Sequence, residues 1–496
     1  MRVTDAVAAT LAGLGADTVF GVVGSGNFHL TNALISQGAR YIAARHEGGA
    51  ACMADGWART AGRTGLLSVH QGPGLTNAVT GITEAAKSRT PLVVLAADVA
   101  AAAVQSNFRI DVAALASAVG AVPERLHSPA SAAADTARAY HTAAGQRRTV
   151  ILAMPLDVQA GDCDRQPPAA GPVLGPVAPA ADAADALAGQ LALAKRPVFV
   201  AGRGARVSRA GPDLERLADA CGALLATSAA ARGLFRGSPW DLDVSGGFAS
   251  PLTAELISAA DLIVGWGCSL NMWTMRHGTL IGPEATVVQV DDDVAAIGAH
   301  RPVQLGVLGD VAETARAALA ALGDRFGSGL GYRTDDVRGR IGREVRWRDV
   351  PYADETGDGL IDPRTLTIAL DDMLPVQRTV SVDSGNFMGY PSMYLAVPDA
   401  DAFCFTQAYQ SIGLGLPSAI GAAIARPDRL TVAALGDGGA LMAVSELETV
   451  ARLGLPMLIV VYDDEAYGAE VHHFGPDGHP LDTVRFPPAD LAGISR

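Results

Sequence analysis

Two carboxylates frame the stretch of this chain best equipped for chemistry. Asp437 stands in Gly436-Asp437-Gly438-Gly439, directly after the apolar run 430–435, and Asp464 follows a second apolar run, 457–462, 27 residues later. Each run has the length of a buried strand. Between them Leu441, Val444, Leu447, Val450 and Leu453, closed by Gly454, keep near-helical spacing. The unit reads as βαβ, and a right-handed crossover makes its strands parallel. Both carboxylates then lie at carboxyl ends of strands, where open α/β sheets bind ligands. Two carboxylates there repel unless a cation joins them. Oxygen donors suit Mg²⁺, which keeps places for water and phosphate oxygens. The glycines let backbone N–H groups approach closely, and the following helix points its positive end at the same spot. A metal–diphosphate site is the expected chemistry. Taken alone, Gly-Asp-Gly is better read as an ordinary strand–turn–helix with a capping Asp.

A second constellation lies near the N-terminus. Arg45-His46-Glu47 opens a helix of small residues, so Glu47 is either a poorly solvated functional acid or a partner for the helix dipole. His70 directly precedes Gln71-Gly72-Pro73-Gly74-Leu75-Thr76-Asn77, and Ser25 sits in Gly24-Ser25-Gly26-Asn27. A loop His can carry protons or simply be solvated; Ser25 is a substrate contact or a turn residue. Further on, Asn386 ends Asp383-Ser384-Gly385-Asn386, and Ile412 and Gly413 lie in Ser411-Ile412-Gly413-Leu414-Gly415-Leu416-Pro417. Ala466, Tyr467 and Glu470 follow the Asp463-Asp464 pair. Ile412 also reads as a core residue before a glycine turn, and Glu470 as an exposed helix residue.

The elements that must hold these residues follow from periodicity. Strand-like runs at 18–23, 65–69, 91–96 and 149–154 alternate with helical stretches, the first of them with Thr4 as its expected cap. A Pro/Ala/Gly-rich linker at 159–183 leads to a second α/β stretch, with strands expected at 197–201, 262–265 and 286–290 and helices at 184–193, 212–221 and 312–322. Gly202-Arg203-Gly204 after the first of these strands is a weak nucleotide-loop signal. A polar linker at 323–359 precedes Asp362-Pro363, a helix start. At roughly 150 residues per domain, 496 residues suit three domains, here 1–160, 184–322 and 360–496. The expected fold class is α/β, with three doubly wound parallel-sheet domains.

Together these motifs resemble the thiamine diphosphate-dependent enzymes, in particular the acetolactate synthase and benzoylformate decarboxylase group. Gly-Asp-Gly followed at this spacing by a paired Asn-Asn is that family's cofactor motif; here the pair is Asp463-Asp464. Arg-His-Glu with Ala54-Asp55-Gly56-Trp57-Ala58-Arg59, the Gly72-Pro73-Gly74 turn and the Ser411-Ile412-Gly413 segment match as well. The resemblance implies that the three domains are pyrimidine-binding, central and diphosphate-binding. It implies that Asp437, Asp464 and the Ala466 carbonyl hold Mg²⁺, and that Glu47 exchanges a proton with the cofactor's aminopyrimidine. Ile412 would bend the cofactor, with Asn77, Asn386, Gly413, Gly436, Gly438, Gly439 and Tyr467 around it. His70, Ser25 and Glu470 would serve the substrate. The implied activity is decarboxylation of a 2-oxo acid with aldehyde release or carboligation, in a homodimer or homotetramer whose active sites lie at the subunit boundary. The family's chains run several dozen residues beyond the position of Arg496, so the third domain reads as truncated. A nucleotide-binding protein built on the central domain, or an inactive regulatory homologue, is the alternative.

Composition narrows the partners. A net charge of −14 without a basic stripe excludes nucleic acid, and no apolar run approaches the roughly 20 residues of a membrane span. Five scattered cysteines without a CxxC pair point to a reducing cytoplasm and no structural zinc.

Overall fold

The apolar runs become parallel strands in a computed structural model that describes residues 1–163, 175–323 and 331–495. Parts of the two expected linkers, 164–174 and 324–330, lie outside the described residues. The first sheet holds β1 (Thr18–Gly21), β2 (Arg40–Ala43), β3 (Gly65–Val69), β4 (Leu92–Asp98), β5 (Val122–Arg125) and β6 (Thr149–Pro155), in the order β2-β1-β3-β4-β6-β5 and parallel throughout. The four inner strands are buried along their whole length, as their unbroken apolar runs require. β2 and β5 are edge strands with partly exposed residues, so neither is marked by a long apolar run. The first helix, Val3–Gly13, begins earlier than expected. Thr4 is buried inside it, Arg2 is the N-cap without a side-chain bond, and the Val3 N–H donates to the Gly161 carbonyl at 3.0 Å.

The second sheet holds β7 (Pro197–Ala201), β8 (Leu224–Thr227), β9 (Asp241–Val244), β10 (Leu262–Trp266), β11 (Thr286–Asp291) and β12 (Leu305–Leu308), in the order β12-β11-β10-β7-β8-β9. The chain reverses direction across this sheet between β7 and β10, which makes it doubly wound. At that point the Gly202 and Gly204 N–H groups donate to the Trp266 and Gly267 carbonyls at 2.8 and 2.9 Å. A Cβ on Gly204 would lie 2.7 Å from Gly267 Cα, so these glycines serve the close packing of two loops. In the third sheet Leu430–Gly436 lies between Arg378–Val382 and Met457–Tyr462. The chain thus carries three parallel-sheet α/β domains.

By contacts it forms two compact units, one of residues 1–174, 379–388 and 406–496, the other of 175–378 and 389–405. In the second, Asp362 caps the helix Pro363–Met373 as expected, accepting the Arg364 N–H at 2.8 Å. In the first, one apolar core runs from the first domain into the third, joining Met53, Trp57 and Leu67 to Leu416, Ile420 and Leu435. Its centre is the contact between the helices Glu47–Ala61 and Gly415–Ala425. A Cβ on Gly56 would strike the Ser418 carbonyl, and one on Gly421 would strike the Met53 carbonyl and come within 2.8 Å of the Trp57 nitrogen. Backbone touches backbone here. One expectation fails in the third domain: the helix across 441–453 is two helices, Asp437–Met442 and Glu446–Leu453. The break at 443–445 turns Glu446 inward, where it is 1% exposed.

The contact predicts an asymmetric response to the smallest possible substitution. Gly421→Ala should destabilise the first unit by about 1–3 kcal/mol through overpacking. Gly189→Ala, in the helix Ala181–Leu193 with nothing near its would-be Cβ, should instead stabilise by about 0.5–1 kcal/mol. Thermal unfolding of both variants against wild type checks the opposite signs.

Candidate active site

The chain leaves β1 and β3 in opposite directions, and the crevice at their carboxyl ends is where a doubly wound sheet takes ligands. The loop after β1 carries Ser25, and His70 follows β3. Asn27, 1% exposed, shapes the first loop: its Oδ1 accepts the Gly24 N–H at 2.8 Å, and its amide donates to the Val22 carbonyl (3.1 Å) and to Ser68 Oγ (3.0 Å). The loop then wraps His70. The Gly26 N–H donates to Nδ1 at 3.0 Å, and a Cβ on Gly24 would lie 2.7 Å from the imidazole. With Nδ1 accepting, the proton the ring can pass on sits at Nε2. Phe108 stands edge-on to the ring at a centroid distance of 5.3 Å, a contact that no motif announces. Ser25 is exposed on this loop.

Glu47 is the first residue of its helix, after His46 as N-cap, whose Nδ1 accepts the Gly48 N–H at 3.0 Å. Its half-buried carboxylate accepts the Asn77 amide at 3.0 Å. Gly74 sits between Glu47 and His70, where a Cβ would be 3.5 Å from Glu47 Oε1 and 3.0 Å from His70 Cβ. Ser25, Glu47, His70 and Asn77 therefore belong to one cluster.

The second cluster gathers at carboxyl ends of the third sheet. Asp437 opens its helix with Gly436 as N-cap. Burial, then the charges of Asp464 and Asp463, raise the Asp437 carboxyl above the usual range; burial and Asp463 do the same for Asp464. Ionised together, they call for a cation. Gly468 leaves room for the Asp464 carboxylate, and a Cβ there would also come within 3.2 Å of Asn386 Cβ. Gly438 faces the Tyr467 ring at 2.9 Å, and Gly436 faces Phe387 at 3.1 Å, both measured from an added Cβ. Two backbone bonds hold the next stretch, Tyr467 N–H to the Val484 carbonyl (2.9 Å) and Phe486 N–H to the Glu465 carbonyl (2.8 Å); neither uses the Ala466 carbonyl. Among the described residues no three His, Cys, Asp or Glu side chains converge as a metal cage. Two carboxylates and a carbonyl with glycine-lined space beside them still fit Mg²⁺ carrying a diphosphate, which needs few protein ligands. Ile412 is half-exposed and belongs to no buried cluster, so it is not a core residue. Glu470 is exposed in the helix Gly468–Phe474; its backbone N–H donates to the Tyr467 carbonyl at 3.0 Å, and among the described residues its side chain makes no hydrogen bond or ion pair with the other expected residues.

Two acids that are not among the expected site residues fix this geometry. Glu446 accepts the N–H groups of Arg45 (3.1 Å) and His46 (3.0 Å) and the Thr449 hydroxyl (2.7 Å), tying the start of the Glu47 helix to the third domain. Gly49 makes room for it: a Cβ there would lie 2.8 Å from the Glu446 carboxyl carbon. Asp383, fully buried, accepts the N–H groups of Ser384 (2.8 Å), Gly413 (2.9 Å) and Leu414 (3.1 Å). Burial pushes its carboxyl up to about 6. The only sequence signal for Glu446 was an acid on the helix's apolar face, among Val444, Leu447 and Val450.

A parallel α/β scaffold with an acid–imidazole cluster on one sheet and a carboxylate–glycine cluster on another defines a cofactor enzyme. Comparison with known proteins specifies which. The description "Thiamine pyrophosphate enzyme, N-terminal TPP binding domain" matches residues 1–117, the central domain of the same family matches 184–318, and its C-terminal TPP binding domain matches 383–495. The chain belongs to the thiamine pyrophosphate-dependent enzyme family. It is 30% identical over 494 residues to a sulfoacetaldehyde acetyltransferase of Rhodobacter capsulatus, covering 95% of this chain and 83% of the relative. A probable 2-ketoarginine decarboxylase of Pseudomonas aeruginosa is 30% identical over 472 residues (92% and 81%). The large subunit of acetolactate synthase isozyme 2 from Escherichia coli is 28% identical over 467 residues (92% and 81%). Among the described residues no helix is long and apolar enough to cross a membrane.

Asp383 gives the site a pH signature. Its folded value of about 6 lies above the ordinary 3.8, so the folded state holds this proton more tightly than the unfolded chain does. Its contribution to stability is fully present below the unfolded value and is lost as pH rises through the folded one. The difference amounts to about 3 kcal/mol. Asp383→Asn should remove this slope, so urea unfolding between pH 4 and 7 should show wild type losing stability relative to the variant by about that amount.

Proposed function

We propose that this protein is a thiamine diphosphate- and Mg²⁺-dependent enzyme that decarboxylates a 2-oxo acid, with aldehyde release as a major outcome and carboligation to a second carbonyl as the competing one. The observation that carries the proposal is the His70 imidazole, fixed through Nδ1 by Gly26, with Gly74 lying against both the His70 Cβ and the Glu47 carboxylate. Bound here, thiamine diphosphate would supply the electron sink that lets a 2-oxo acid lose CO₂. Asp437, Asp464 and the Ala466 carbonyl would hold the Mg²⁺ that receives the diphosphate. Gly436, Gly438, Gly439, Asn386 and Tyr467 would surround the phosphates. Ile412 and Gly413 would support the ring system. Glu47, kept in place by Asn77, would hold a proton at the aminopyrimidine. His70 would deliver a proton from Nε2 to the departing product, with Ser25 and Glu470 contacting the substrate.

The relatives' names include an acetyltransferase, a decarboxylase and a synthase, and a proton donor at residue 70 favours protonation over transfer. On a single chain Glu47 is half-exposed and Asn77 exposed, which supports a homodimer or homotetramer whose active site is completed at the subunit boundary. The five cysteines are all buried, in keeping with the cytoplasm. A small 2-oxo acid is the partner; the net charge of −14 argues against nucleic acid.

Calorimetric titration of thiamine diphosphate tests the metal assignment. Affinity should collapse in Asp437→Ala and in wild type with chelator, and unchanged binding in both would remove the metal from the site. Product analysis tests His70. General acid catalysis is typically worth about 10²–10⁴ in rate, so His70→Thr should slow aldehyde release by a factor in that range. With pyruvate, branched-chain 2-oxo acids and benzoylformate as substrates, the acyloin share should rise in the variant. An unchanged rate and product ratio would leave His70 as a structural loop residue.

A further inference from the structure

The segment 408–414 leads into the helix Gly415–Ala425 and presents Ile412, half-exposed, near its middle. Buried carboxylates hold it at both ends. Asp383 takes the Gly413 and Leu414 N–H groups, as described above. At the other end stands Glu84, 1% exposed on the helix Val79–Lys87 of the first domain. Its Oε1 accepts the Ala408 N–H at 3.2 Å and its Oε2 the Tyr409 N–H at 2.7 Å. Oε1 also receives the Arg59 guanidinium at 2.8 Å and the Ser88 hydroxyl at 3.2 Å. Arg59 reaches in turn to the buried Asp55 at 2.9 Å. The Lys87 ammonium, from the same helix as Glu84, lies 5.7 Å from the centre of the Tyr409 ring. Between the two clamps Gln410 has φ +61°, a backbone conformation that a non-glycine residue keeps only where its surroundings hold it.

We infer that Glu84 is a positioning residue for the cofactor: from the first domain it fixes the loop that sets Ile412 against thiamine diphosphate, a role that rests on the cofactor reading above. The carboxylate is required by chemistry as well as by shape. Each oxygen receives N–H donors that cannot accept, so a glutamine must turn its NH₂ toward either the Tyr409 N–H or the Ala408 N–H and Arg59 guanidinium and lose the bonds on that side. Replacing the charge also leaves Arg59 matched one to one with Asp55, so Glu84→Gln strands no unpaired buried charge.

The test uses the full chain with Mg²⁺. Hydrogen exchange without cofactor should show the Ala408 and Tyr409 amides exchanging at least about tenfold faster in Glu84→Gln than in wild type. Calorimetry should show thiamine diphosphate bound about tenfold more weakly, the size expected for one lost charge-assisted hydrogen bond. The decisive readout is coupling: in an Ile412→Ala background the same substitution should change the affinity less than about twofold. Glu84→Asp, which keeps the charge but shortens the reach, should fall between wild type and Glu84→Gln, and serves in its place if that variant does not fold. Unchanged exchange, unchanged affinity, or an equal loss in the Ile412→Ala background would overturn the inference while leaving the cofactor reading intact. A wild type that does not bind thiamine diphosphate would overturn both.

Discussion

The rest of the first unit depends on two helices that touch backbone to backbone. Gly56 on the helix Glu47–Ala61 and Gly421 on the helix Gly415–Ala425 remove the side chains that would hold these helices apart. The surrounding core is correspondingly rich in alanine, from Ala50 and Ala54 to Ala419. Close approach of this kind gains dispersion contacts over a wide area and leaves little freedom in the relative placement of the helices. One helix begins at Glu47, and the other follows directly from the Ile412 segment. Their contact therefore fixes the start of one helix, at Glu47, relative to the segment that precedes the other, at Ile412, although the two lie more than 300 residues apart in the chain.

Around this contact the molecule uses acidic side chains in two opposite ways. Glu84, Glu446 and Asp383 are withdrawn from water and satisfied by backbone N–H groups, two of them across the domain boundary. A buried carboxylate that accepts several such bonds sets a loop's path with a precision that apolar packing does not supply, because each N–H has a direction. Asp437 and Asp464 are instead placed beside like charge, Asp437 near Asp464 and Asp463, and Asp464 near Asp463. Satisfied acids hold the frame, and the pair set beside like charge is the one suited to a cation.

The same economy shows in the glycines of the site. Gly24 and Gly26 admit the imidazole of His70, Gly49 admits Glu446, Gly74 lies between Glu47 and His70, and Gly468 admits the Asp464 carboxylate. In each case the absent Cβ is space that a polar side chain occupies. Substitution at any of them displaces a polar group that acts elsewhere, which ties local backbone composition directly to the chemistry.

The sequence by itself determined the class of fold and the inner strands of the first sheet, and it marked Glu47, His70, Asp437 and Asp464, while the inner strand β8 of the second sheet went unmarked. Those features are written in short-range signals: apolar runs for β1, β3, β4 and β6, glycine turns at strand ends, and Asp437 and Asp464 at a spacing set by one βαβ unit. Edge strands such as β2 and β5 were less legible, because a half-exposed strand needs no apolar run, and the helix break at 443–445 was hidden by a periodicity that continues across it. Tertiary structure alone decided which acids are structural. Nothing near Glu84, Glu446 or Asp383 in the chain foretells a partner, since the N–H groups that satisfy Glu84 and Glu446 lie more than 300 residues away and those of Asp383 lie mostly beyond a strand crossover. A carboxylate's role follows from what it meets after folding, and pairings over that distance leave no trace in local composition.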